Sequence, residues 1–134
     1  MNILIIDAQG GGIGRQLVAA IRENLPEAEI TAVGTNTAAT AAMLKAGAHH
    51  GATGENAVVV GCRRADVIIG PVGIVIADAL YGEVTPAMAL AVGQSAAKRI
   101  LIPVNHCDNV IIGAAALPMG AMIDAVVKEL TKND

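Results

Sequence analysis

Gly10, Gly11, Gly12 and Gly14 occupy four of five consecutive positions, interrupted only by Ile13. Backbone without side chains lets amide groups approach an anion, and phosphate is the anion such turns commonly cradle. Asp7 precedes the turn, placed either to accept loop amides or to act on a ligand hydroxyl or metal-bound water. A second small-residue turn, Gly70-Pro71-Val72-Gly73, offers an opposite wall. Thr35 and Asn36 stand roughly 20 residues past the first turn, where a carboxylate usually reads a ribose. Neither is acidic, so each offers a weaker hydrogen bond to a ribose hydroxyl; Asn36 alternatively caps a helix. Glu55 and Glu83 are candidate acids or bases, with solvated or capping roles as the alternative. Cys107, with His106 and Asp108 beside it, suggests a Cys–His nucleophile or a metal ligand, and Asn105 is a candidate crevice residue. Adjacent residues point apart, however, and His49, His50, His106 and Cys107 lack metal-ligand spacing.

These residues need elements to hold them. Ile3 to Ile6 reads as a buried strand, and Ile13, Leu17, Ala20 and Ile21 mark one face of the helix that the glycines open. Ile30 to Val33 reads as a second strand, followed by a helix from Ala38 to Ala46 capped by Asn36 or Thr37 and stopped at Gly47. His49 to Ala52 suggests a short third strand, and Thr53 is positioned to cap a helix through Arg64. Ala65 to Gly70 is the clearest later strand. An apolar helix over Ile74 to Leu80 is predicted next, then a helix from Thr85-Pro86 to about Ala97. Ile100 to Pro103 is a fifth strand and Val110 to Gly113 a candidate sixth. The last helix opens at Pro118 and shows an apolar face of Met119, Met122, Ile123, Val126, Val127 and Leu130.

Alternating strands and helices predict an α/β fold with a three-layer, doubly wound parallel sheet, Rossmann-like, in strand order near 3-2-1-4-5. One domain over residues 1–134 accommodates it. In such a sheet the ligand crevice lies where strand order reverses, so Gly10 to Gly14 would face Gly70 to Gly73, with residues 53–56 and 105–107 nearby.

Hydrophobic residues make up 54% of the chain, yet it has no Phe or Trp and only one Tyr. A core of small aliphatic side chains follows, without the aromatic faces on which single-stranded nucleic acid stacks. A net charge of −3 argues against nucleic acid as a partner. The apolar stretch from Val67 to Leu80 is too short to span a bilayer and carries Asp78. The apolar excess instead suits a buried sheet and a homo-oligomer face. Two distant cysteines, with no leader pattern at the start, suggest reduced thiols and a cytoplasmic location.

The glycine turn matches neither G-x-G-x-x-G nor a P-loop. It resembles the Thr-Gly-x-x-x-Gly-Ile-Gly-Arg turn of short-chain dehydrogenases, with Gly12-Ile13-Gly14-Arg15 in register and Ala8 at that family's first glycine. The family's catalytic Tyr-x-x-x-Lys is absent, since Thr85 stands four residues after Tyr81. That resemblance implies phosphate binding without hydride transfer. Residues 7–15, 34–47, 52–56, 70–73 and 82–86 together resemble an uncharacterised bacterial domain family, DUF3842, which implies no activity.

Three functions are expected of such a chain. It binds or senses a phosphate-bearing small molecule such as NAD(P) or another nucleotide, through Gly10, Gly11, Gly12, Ile13, Gly14, Thr35, Asn36, Gly70, Pro71 and Gly73. Alternatively it is a small enzyme acting on a nucleotide or phosphorylated metabolite, or a protein-binding scaffold with no ligand.

Overall fold

The computed structural model describes residues 1–104 and 108–132. Five parallel strands, β1 (Asn2–Asp7), β2 (Glu29–Gly34), β3 (His50–Thr53), β4 (Val67–Pro71) and β5 (Lys98–Ile102), form one sheet in the order β3-β2-β1-β4-β5. Ile3, Ile5 and Ile69 face one side of the sheet, and Leu4, Ile6 and Ile68 face the other. Both faces of the central strands are buried, which is why their sequences are continuously apolar rather than alternating.

Helices cover both faces. The first side takes α1 (Gly12–Asn24), α2 (Thr37–Lys45) and α5 (Met119–Thr131), which bury Leu17, Val18, Ile21, Met43, Ile123 and Val126 against it. The second takes α3 (Glu55–Arg64) and α4 (Pro86–Gly93), which contribute Val58, Cys62, Met88 and Val92. The helical alternative for Ala57 to Arg64 is the observed one, because Val58 and Cys62 lie on one buried face.

Local chemistry explains most boundaries. Asn36 caps α2 by accepting the Ala39 amide at 2.9 Å, and the Thr85 hydroxyl caps α4 by accepting from Met88 at 3.1 Å, with Pro86 at the first helical position. Thr53 does not cap α3. Gly54 holds that position at φ +102, and the Thr53 hydroxyl instead pairs with that of Thr40 at 2.7 Å.

Three other expectations are corrected. α4 stops at Gly93 rather than near Ala97. There the Ser95 hydroxyl donates to the Cys62 carbonyl and accepts the Ala97 amide, giving the backbone an alternative to helix. Residues 74–80 form no α-helix. A single 3-10 turn (Val72–Val75) is followed by a loop closed on itself by bonds from Asp78 to Val84 and from Val84 to Ala79. Its buried anchors are Leu80 and Val84, and its φ is positive at Asp78, Leu80 and Tyr81. Val110 to Gly113 pairs with no described strand, and β5 is an edge of the sheet; Val110 and Ile112 are 81% and 91% exposed. No described helix is long and apolar enough to cross a membrane.

Candidate functional site

At the carboxyl end of the sheet α1 leaves β1 towards one face, while the chain leaving β4 turns towards the other. Such a divergence opens a crevice between neighbouring strands. Here it has a volume of about 310 Å³ and is lined by Asp7, Ala8, Gln9, Gly10, Gly12, Ile13 and Gln16 on the β1–α1 side, with Pro71 and Leu80 opposite.

The glycines of the turn divide into two kinds. A Cβ on Gly11 would lie 2.9 Å from the Ala39 backbone, and its φ is +72. One on Gly14 would lie 2.5 Å from Met43 Sδ. These two allow α1 to lie against α2 and β1. Gly10 and Gly12 would meet nothing within 4 Å, and their missing side chains leave the crevice open.

Backbone donors are divided in the same way. Gly11 donates to the Ala8 carbonyl at 3.1 Å. The Asp7 carboxylate accepts the amides of Ala8 at 2.8 Å and Gly14 at 2.6 Å, drawing the turn round itself. Among the described residues the amides of Gly10 and Gly12 have no protein partner, and both residues line the crevice. Burial pushes the Asp7 pKa above the ordinary carboxylate range, outweighing the amide bonds that stabilise its charged form; the charge of Glu83 adds to the rise. Asp7 is 4% exposed.

Thr35 and Asn36 emerge at the end of β2, but their polar atoms are engaged. The Thr35 hydroxyl and the Asn36 Nδ2 each donate to Glu83 Oε1 at 2.7 Å. Gln9 donates its amide to the same oxygen at 2.9 Å, and Asn36 Nδ2 also reaches the Gln9 carbonyl at 3.0 Å. Burial raises the Glu83 pKa, but the three donors outweigh it and hold the carboxyl below its ordinary range. Glu83, read from sequence only as an isolated acid, joins the loop after β4 to the ends of β1 and β2.

Of the second turn, Pro71 alone lines the crevice. Gly70 lies within β4, where a Cβ would stand 2.5 Å from the Ile6 carbonyl oxygen, and Gly73 packs under Leu80. Both are buried in the fold. Glu55 is exposed at the start of α3 and Thr53 faces Thr40, so neither lines the crevice. Asn105, His106 and Cys107 lie outside the described residues. Cys62 is buried, and burial pushes its thiol up to about 11, leaving it a poor nucleophile. His49 is engaged with Arg22 at 2.7 Å and His50 with Glu29 at 2.6 Å.

Gln9, Gln16 and Leu80 line the crevice without having been singled out from sequence. Gln16 stands one helical turn past Gly12 and donates to its carbonyl at 3.0 Å, a spacing visible in the sequence. Leu80 arrives only through the folding of its loop.

The dodecameric FMN-dependent UbiX-like decarboxylase from Escherichia coli O157:H7 is a solved structure similar to this chain. The similarity covers 97% of this chain and 91% of that one, at 15% identity and a TM-score of 0.46. No curated protein matches. The family described as "Domain of unknown function (DUF3842)" matches residues 2–134. This chain belongs to the DUF3842 family.

Proposed function

We propose that this protein is a binding or sensing module for a phosphate-bearing small molecule, held in the crevice between the ends of β1 and β4. The observation that carries the reading is the pair of unclaimed amides, Gly10 and Gly12, lining an open crevice at the start of α1. The helix N-terminus adds partial positive charge there. Asp7 opposes an anion when ionised, and its raised pKa means that phosphate entry favours uptake of a proton.

The test is a thermal-shift and calorimetric titration with inorganic phosphate, pyrophosphate and nucleoside mono- and diphosphates. A ligand at a hundredfold excess over its dissociation constant stabilises by about 2.7 kcal/mol. Gly12→Leu, whose side chain enters open space, should melt within about 0.5 kcal/mol of the parent protein and lose that stabilisation. Absence of any shift with the parent protein removes the reading. Recovery of the ligand unchanged after prolonged incubation separates sensing from catalysis.

A homo-oligomer is part of the proposal, because a second observation favours it. Val110, Ile112 and Leu117 are 81%, 91% and 46% exposed within one segment before α5. A run of uncovered apolar side chains this close together favours association. Light scattering should report a dimer or larger, and replacing Val110 and Ile112 together by Ser should shift it towards monomer. A monomeric parent protein rules this out.

A further inference from the structure

We propose that Glu83, beside the crevice residue Gln9, is a ribose-reading carboxylate, so that the ligand is a ribonucleotide with a free 2′ hydroxyl. This rests on the phosphate reading of the crevice and deepens it.

Nucleotide-binding α/β sheets place an acid at the end of the second strand, where it accepts the ribose 2′ hydroxyl. β2 ends here at Gly34, and the following Thr35 and Asn36 have no charge to offer. The structure nevertheless has a carboxylate at that place, delivered from a loop 48 residues after Thr35 in the chain. Glu83 lies across Thr35 and Asn36 and is bonded to Gln9, a crevice residue.

The way Glu83 is held leaves it an acceptor beyond those a latch requires. All three donors converge on Oε1, at 2.7, 2.7 and 2.9 Å. Oε2 has no partner among the described residues. A latch needs only one oxygen; the second has no protein donor among the described residues and is free to accept a hydroxyl, on a side chain bonded to Gln9 of the crevice lining. Backbone strain is present at this contact, in Gln9, and in the loop that delivers Glu83. Gln9, Asp78, Leu80 and Tyr81 all have positive φ without being glycine, and such residues persist where the surrounding structure enforces them. A negative Oε2 at this place also repels a 2′-phosphate, which excludes ligands phosphorylated there.

Glu83→Gln separates the two oxygens. The amide oxygen can replace Oε1 as acceptor for Gln9, Thr35 and Asn36, while the amide nitrogen replaces Oε2 and cannot accept. Calorimetric titrations of both proteins would use AMP, GMP, CMP and UMP, their 2′-deoxy counterparts, and inorganic phosphate. For the parent protein, at least one ribonucleotide should bind about tenfold or more tightly than its deoxy form. In Glu83→Gln that preference should vanish, with inorganic phosphate bound as before or slightly more tightly. Equal binding of ribo and deoxy forms by the parent protein overturns the assignment, as does a preference that survives in Glu83→Gln. Phosphate binding with no nucleotide binding overturns the ribose assignment alone, whereas failure of phosphate as well overturns the crevice reading with it.

Discussion

Gly70→Ala is expected to cost about 3 kcal/mol or more and to lower the thermal midpoint by about 10 °C, followed by circular dichroism. The added Cβ would stand 2.5 Å from the Ile6 carbonyl oxygen and 2.9 Å from Ile74 Cδ1. Ile74 is fully buried, and Ile6 is fixed from its other side by the β1–β2 pairing that sets it against Val33. Relief therefore requires parting β4 from β1 at the mouth of the crevice. Gly34 is constrained in the same way on the other side of β1, with Asn36 O and the Thr40 backbone nitrogen 2.6 Å from its would-be Cβ. Gly12→Ala is the internal control and should change stability by about 0.5 kcal/mol at most. If Gly70→Ala melts with the control, the close approach of these strands is softer than the distances imply.

The second large effect is that of Asp7→Asn. An amide presents one acceptor where the carboxylate presents two, and its NH₂ group would face an amide donor. A buried donor left without a partner costs about 1–3 kcal/mol. The loss should depend on pH with a definite sign. The folded pKa of Asp7 lies above its ordinary value, so the folded state holds the proton more tightly than the unfolded chain. This group's contribution to stability is therefore greatest in acid and declines as pH rises from the ordinary carboxylate range through Asp7's own. An asparagine side chain cannot titrate. The stability advantage of the parent protein over the Asp7→Asn variant should be larger at about pH 4 than at about pH 8, measured by urea unfolding. Glu83 contributes with the opposite sign, losing its stabilisation as pH falls through its lowered pKa, but it is present in both proteins. An advantage that grows with rising pH would mean that the amide bonds outweigh burial at Asp7.

The sheet is legible in the sequence because its central strands are apolar on both faces and each is followed by a helical period. Ile3 to Ile6 and Val67 to Ile69 fit nowhere better than in a covered parallel sheet, and Thr85-Pro86 marks a helix start by its own chemistry. Residues 74–80 mislead because Ile74, Leu80 and Val84 are buried at loop anchors, and apolar side chains do not disclose whether the backbone between them is helical. Val110 to Gly113 has strand-like residues but no described neighbour to pair with. At the crevice the glycine count is visible in the sequence, but not the division of labour among the glycines. Gly11 and Gly14 are set by Ala39 and Met43, which come from a different helix. The missing acid after β2 is equally visible. The arrival of Glu83 in its place is not, because only the closed loop after β4 brings that residue to Thr35.

β3 has consequences beyond the crevice. It is an edge strand of four residues, all exposed, and its first, His50, is tied to Glu29 of β2. In a parallel strand alternate residues turn their backbone groups outward, so this edge presents only about two residues' worth of unpaired groups to another chain. That is too little to template the addition of a foreign strand, and a hydrogen-bonded polar pair stands at its entrance. The sheet is thus poorly suited to growing from molecule to molecule on this side, and disordered aggregation through β3 is discouraged by its brevity.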